Sequence, residues 1–281
     1  MSEQRAGVIG LGMIGGGVAV SLARRGRVPV VYDIRPDAAD HLAGVPAPVA
    51  SPAEVARASD VVLVAVVDAD QARTVLSGEQ GLLSGARPGL VVVLLSTVAV
   101  PVVRELAETC ARAGVELLDC GVTPGDKAAE NGLVAILGGA ESTVERAMPV
   151  LADFAKCVVH CGPLGAGMAT KIARNVITYG TWRAVHEAST LAEAAGVDPA
   201  KLLTVIDAAD PEGATLLSWQ RMRLAGKPET RALVSQVERL LDKDLAAAQD
   251  LAGRVGVAVP LVDVARKHGK ETLEIRVRED A

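Results

Sequence analysis

Over the first 160 residues short apolar runs alternate with amphipathic stretches. Ala6–Ile9, Val28–Tyr32, Val61–Val67, Leu90–Leu95, Val115–Asp119, Val134–Leu137 and Lys156–His160 are rich in Val, Ile and Leu. Most carry no polar alternation, which predicts strands buried on both faces of a largely parallel sheet. Helix signals separate them. Ser51-Pro52-Ala53-Glu54 reads as a capping box with Pro at the first helical position. Pro101 opens another helix, with Val102, Val103, Leu106 and Cys110 near helical spacing, and Glu141–Phe154 is a third. After residue 163 the strand pattern stops. Leu164–Ala195 predicts one long helix ended by Gly196, and Asp198-Pro199 starts the next. Further helices are expected around 212–225, 229–255 and 260–275. The fold class is therefore α/β: a Rossmann-type doubly wound domain over 1–163, then an all-helical domain over 164–281, joined by the long helix.

Composition agrees with two soluble domains. The 281 residues are 50% hydrophobic and 22% charged, with a net charge of -5, and about 150 residues make a domain. An acidic chain with five aromatics (Tyr32, Phe154, Tyr179, Trp182 and Trp219) lacks both the basic footprint and the stacking platform of a nucleic-acid reader. Residues 6–20 are uncharged and follow Arg5, as in a signal segment, but six of them are glycine, which suits neither translocon nor membrane helix. A cytoplasmic protein without membrane attachment is expected. Cys157, His160 and Cys161 lack a second ligand cluster, so no metal is expected, and the run reads as the end of a buried strand.

The chemistry starts at Gly10-Leu11-Gly12-Met13-Ile14-Gly15, between the first strand and the first helix. In that context the first glycine makes the tight turn, the second admits a pyrophosphate, and the third lets helix and strand pack. The helix N-terminus offers N–H groups to the phosphates. Asp33 ends the second strand, where an acid accepts ribose hydroxyls and disfavours a 2′-phosphate. Arg35 could instead meet a 2′-phosphate, so NAD is the expected cofactor with NADP possible. Val66 and the Ser96-Thr97 pair stand at the carboxyl ends of their strands, where the nicotinamide would lie; a plain loop role for the hydroxyls stays open. Asp119–Gly132 is expected to be a long loop able to hold an anion through a hydroxyl and backbone N–H groups. On the long helix Lys171 and Asn175 share a face. Lys171 is either a solvated lysine or a desolvated one at a domain cleft, ready to exchange a proton. Tyr179 and Trp182 read as interface core.

These motifs, in this order, resemble those of the β-hydroxyacid dehydrogenases. Gly10–Gly15 is similar to the family's dinucleotide motif. Asp119–Gly125 looks like its Asp-Ala-Pro-Val-Ser-Gly-Gly, with Thr123 at the serine position. Gly165-x-Gly167-x-x-x-Lys171-x-x-x-Asn175 resembles the catalytic helix, and Lys243-Asp244-Leu245 the late Lys-Asp-Leu motif. The resemblance implies Lys171 as general acid/base and Asn175 with Thr123 and Gly125 positioning a small β-hydroxy acid. It also implies Lys243 bordering cofactor and substrate, and a homodimer or homotetramer. Four departures bear on the substrate. Pro124 removes a backbone N–H from the cradle. Cys120-Gly121 replaces Ala-Pro, Arg174 stands where a second Asn is frequent, and Gln236 falls near an aromatic position. The alternatives are an imine or atypical carbonyl reductase of the same fold, whose members generally lack the lysine, and a non-catalytic dinucleotide-binding protein.

Overall fold

The computed structural model describes residues 4–124, 132–225 and 228–273. Packing divides the chain into two compact units, Met1–Val176 and Ile177–Ala281, with the division inside the long helix.

In the first unit β1 (Ala6–Ile9), β2 (Val30–Tyr32), β3 (Val61–Val64), β4 (Val91–Leu94), β5 (Glu116–Thr123), β6 (Leu133–Gly138) and β7 (Ala155–His160) form one sheet. Its order is β2-β1-β3-β4-β5-β6-β7. All pairs are parallel except β5 with β6. The helices are α1 (Met13–Arg24), α2 (Pro52–Ala58), α3 (Ala69–Ser77), α4 (Val100–Arg112) and α5 (Glu141–Phe154), then the start of α6 (Ala166–Ala194).

Alternate residues of the central strands feed two cores. Val8, Val61, Leu63, Val91 and Val93 pack with Val18 and Leu22 of α1 and Leu151 of α5. Ile9, Val62, Val64, Val92 and Leu94 pack with Val55 of α2, Leu76 of α3 and Leu106 of α4. Covering both faces explains why these strands read as unbroken apolar runs. The cap of α2 forms as its sequence predicts: the Ser51 hydroxyl accepts the Glu54 N–H at 3.3 Å.

Three elements differ from expectation. Of the loop expected over Asp119–Gly132, Cys120–Thr123 is strand instead, because β5 continues through Thr123, held by antiparallel pairing of Cys120 with Leu137 and Thr123 with Val134; residues 125–131 lie outside the described residues. β7 is not buried: it is the sheet's edge, with β6 as its neighbour on one side, and Cys157 is exposed. His160 Nε2 lies 2.9 Å from the carbonyls of both Gly139 and Gly162. Third, β3 stops at Val64, leaving Ala65–Val67 as irregular chain at the strand's carboxyl end.

The second unit is helical. The remainder of α6 is followed by α7 (Pro199–Ala209), α8 (Ser218–Ala225), α9 (Pro228–Val255), α10 (Pro260–Lys267) and α11 (Gly269–Leu273). Gly196, at φ +81°, turns the chain after α6, and the Asp198 carboxylate caps α7 at Ala200 N–H, 2.9 Å. Buried Glu187 accepts the N–H groups of Leu261 and Val262 at 3.0 Å, fastening α10 to α6. Tyr179 and Trp182 are 58% and 65% exposed and meet edge to face, so they are no part of a core within this chain. Among the described residues no helix is long and apolar enough to cross a membrane.

Candidate functional site

The chain leaves β1 and returns through β2 before crossing back to β3, so the carboxyl ends of β1 and β3 border a crevice. Open α/β sheets bind ligands at such a reversal. A cavity of about 490 Å³ opens there, lined by Gly10, Gly12, Asp33, Arg35 and Val66, among others. Thus residues of three separate motifs share one wall.

The glycine-rich turn is shaped for a phosphate. Gly10 has φ +86°, a conformation open to glycine at little cost. A Cβ at Gly15 would overlap the Gly10 carbonyl oxygen, so α1 can start this close to β1 only on a bare residue. A Cβ at Gly12 would meet nothing within 4 Å, so the backbone is open to an incoming group. α1 has no side-chain cap and no acid in its first turn. Its first N–H groups are therefore available to an anion. Leu11 is buried, Ile14 packs on the core, and Met13 is 74% exposed. Leu11, Met13, Ile14 and Gly15 thus shape the turn without lining the cavity.

Asp33 joins the turn to the end of β2. Its Oδ2 accepts the Leu11 N–H at 2.7 Å, and its Oδ1 accepts the Arg35 N–H at 3.0 Å and Arg35 Nε at 3.2 Å. Burial works to raise its pKa, but those N–H bonds and the guanidinium outweigh it and hold the carboxyl below its ordinary value. A carboxylate has about four lone-pair sites. Three are occupied here, so accepting a pair of ribose hydroxyls requires Arg35 to move away, and its side chain is 58% exposed. At the next strand end the Ser96 hydroxyl donates to the Val66 carbonyl at 2.7 Å, tying β4 to the chain after β3, while Thr97 is exposed.

The residues singled out in the sequence on β5 and at the start of α6 do not line that cavity. Lys171 is 9% exposed. Burial lowers its pKa and the Arg174 guanidinium lowers it further. Asn175 is half-buried, and its Oδ1 lies 3.4 Å from Arg174 Nη1. The Thr123 hydroxyl is buried and has no hydrogen-bond partner among the described residues. Gly125 falls outside the described residues. Lys243 lies in the second unit on α9, exposed and paired with Asp244 at 3.2 Å; Gln236 on the same helix is exposed.

Sequence reasoning placed Asp119 in the motif without a role. It is the completely buried cap of α6, accepting the Gly165 and Met168 N–H groups at 2.6 Å each. Asp68, Gln71 and Thr74, from the start of α3, also line the cavity. Their signal in the sequence is a plain helix cap, Asp68 accepting the Gln71 N–H.

Fold and crevice together are those of a dinucleotide-binding domain followed by a helical one. The NAD binding domain of 6-phosphogluconate dehydrogenase matches residues 5–162, and the NAD-binding family of NADP-dependent 3-hydroxyisobutyrate dehydrogenase matches 165–276. A probable mitochondrial 3-hydroxyisobutyrate dehydrogenase of Dictyostelium discoideum is 31% identical over 91% of this chain and 81% of its own length. The solved 3-hydroxyisobutyrate dehydrogenase of Mycobacterium tuberculosis, with L-serine, is 29% identical at TM-score 0.69, covering 98% of this chain and 95% of that one. An imine reductase of Myxococcus stipitatus shares the fold at TM-score 0.78 and 17% identity, covering 97% and 94%. The chain belongs to the β-hydroxyacid dehydrogenase family, the NAD(P)-dependent oxidoreductases that act on a CH–OH group.

Proposed function

We propose that this chain interconverts a β-hydroxy acid, or a related small hydroxy compound, with its carbonyl form, using Lys171 as general acid/base. The observation that carries this reading is Lys171 itself. It is a lysine of lowered pKa, buried four residues before Asn175 on the helix that Asp119 fixes to β5. Gly10–Gly15 would hold the pyrophosphate and Asp33 the adenosine ribose, with Val66 and Thr97 beside the nicotinamide. A bound nicotinamide supplies hydride acceptance or donation. In the oxidative direction neutral Lys171 Nζ takes the proton of the substrate hydroxyl; in reduction the ammonium returns it. Asn175, Thr123 and Gly125 orient the substrate, and Lys243 borders it. We read 1–163 as the cofactor domain and 164–281 as the helical one, through which the chain forms a homodimer or homotetramer in the cytoplasm; the packing break at 176/177 falls within the helix that joins them. The imine-reductase alternative rests on fold alone and does not use Lys171. The test is a panel of β-hydroxy acids, alcohols, semialdehydes and imines with NAD and NADP, followed by nicotinamide absorbance. Turnover confined to imines overturns this reading.

NAD is the expected cofactor. Fluorescence titration should show NAD binding more tightly than NADP, and Asp33→Ala should narrow or invert the gap. A preference of the unmodified protein for NADP by more than about tenfold would mean that Arg35 has left Asp33 for the 2′-phosphate.

The pH profile offers a further check. Oxidation needs neutral Lys171, so its rate should rise with pH through the Lys171 pKa, which sits below that of an ordinary lysine. Among the described residues the charge that acts on it is Arg174, on its own helix. Arg174→Gln removes a positive charge that opposes protonation, so the rising limb should move to higher pH. A limb unmoved, or moved to lower pH, would assign the titration to another group.

A further inference from the structure

One face of β5 carries Asp119, Gly121 and Thr123 at the two-residue period of a strand. The first and last have polar roles above; the middle residue has no side chain. A Cβ at Gly121 would overlap Lys171 Cβ and stand 2.8 Å from its Cγ and 3.4 Å from its Cδ. Those are the three nearest heavy atoms, and all belong to the lysine stem rather than to the helix backbone. The space a side chain would fill at 121 is thus taken by Lys171.

The helix is fastened where this overlap is decided. Asp119 Oδ1 accepts the N–H of Gly165 and Oδ2 that of Met168, at 2.6 Å each. These N–H groups at the helix entrance have no acceptor within the helix. Met168 precedes Lys171 by three residues, about one turn, so a clamp on Met168 fixes the height and rotation at which Lys171 leaves the helix. Two more bare residues allow the approach. A Cβ at Gly138 would overlap Asp119 Oδ1, and one at Gly167 would overlap the Ile136 carbonyl oxygen.

We propose that Gly121 is a positioning residue for Lys171: its bare backbone is the seat on which the lysine stem lies, and Asp119, two residues earlier, clamps the helix in the register that keeps it there. This rests on Lys171 being the proton-transfer group. A flexible stem in water would let the ammonium sample many positions and regain its hydration. A stem laid along a strand is confined to few rotamers and loses water on one side. That fixes the amine in place and favours its neutral form.

The test is Gly121→Ala, read first without substrate. Competitive acetylation with acetic anhydride across pH, followed by peptide mass spectrometry, titrates Lys171 against an added free-lysine standard. In the unmodified protein Lys171 should titrate below an ordinary lysine and label more slowly. In Gly121→Ala its titration should rise by about half a pH unit or more as the displaced ammonium regains water. On a substrate that the unmodified protein turns over, kcat should fall about tenfold or more while KM for the dinucleotide stays within about twofold. An unchanged Lys171 titration in a folded Gly121→Ala overturns the proposal. If Gly121→Ala does not fold, Gly121→Ala/Lys171→Gly decides: folding restored by removing the lysine supports the seat, and folding not restored overturns it. A shifted Lys171 titration in a protein that turns over no compound keeps the seat and removes the dehydrogenase reading.

Discussion

Lys171→Met is expected to lower kcat by about 10²–10⁴-fold, the contribution of a positioned general acid/base. Methionine keeps most of the stem and its packing against β5 and removes the ionisable amine. Dinucleotide affinity should change little, because Gly10, Gly12 and Asp33 line the cavity proposed for phosphate and ribose and Lys171 does not. Stability should hold or rise. Lys171 is 9% exposed with its pKa lowered by burial, so folding now buries a group that would sooner be charged in water. The loss should fall on kcat more than on substrate KM, since proton transfer develops in the transition state. Wild-type turnover by Lys171→Met on any active hydroxy acid would remove lysine from the mechanism. A change in Tm alone, with no compound ever turned over, would leave the helix a structural element.

The parts of this molecule legible in its sequence are those whose cause is local. The run from Gly10 to Gly15 is a single turn: Gly10 and Gly15 answer to backbone in that turn or just past β3, and Gly12 stands open. The α2 and α7 caps are likewise decided within four residues. The unbroken apolar strands reveal burial on both faces without naming their neighbours. What escaped notice depends on pairing at long range. Cys120–Thr123 contains a glycine and precedes a proline, a loop by propensity, yet hydrogen bonding to β6 makes it strand. Lys156–His160 reads as interior because Val158 and Val159 are apolar, but strand order places it at the edge. Asp119 is separated by 46 and 49 residues from the N–H groups it caps, and no spacing rule connects them. The same distance hid Gly121, whose meaning comes from a lysine on another element. Half of the candidate site was therefore visible as motif, while the contacts that position it emerge only in three dimensions.

Thr123→Val should separate function from folding in one variant. The Thr123 hydroxyl is buried at the end of β5 with no partner among the described residues. A buried hydroxyl without a hydrogen bond costs about 1–3 kcal/mol, so a site that keeps one is in want of a ligand atom. Valine has the same branched shape and occupies a strand at least as well. Removing a hydroxyl that pairs with none of the described residues should leave Tm unchanged or raise it. A hydrogen bond to a charged group contributes about 1.5–3 kcal/mol, so its loss should lower kcat/KM by about tenfold to a hundredfold. The dinucleotide Kd should not move, because Thr123 is absent from the cavity around Asp33. Pro124, next in the chain, offers no N–H to share the load. Pro124→Gly should therefore recover part of the loss on ordinary β-hydroxy carboxylates when combined with Thr123→Val. Stability and kcat/KM moving in opposite directions would mark Thr123 as a substrate ligand. A fall in both would mark its hydroxyl as part of the fold, and an unaltered kcat/KM would mean that Thr123 does not touch the substrate.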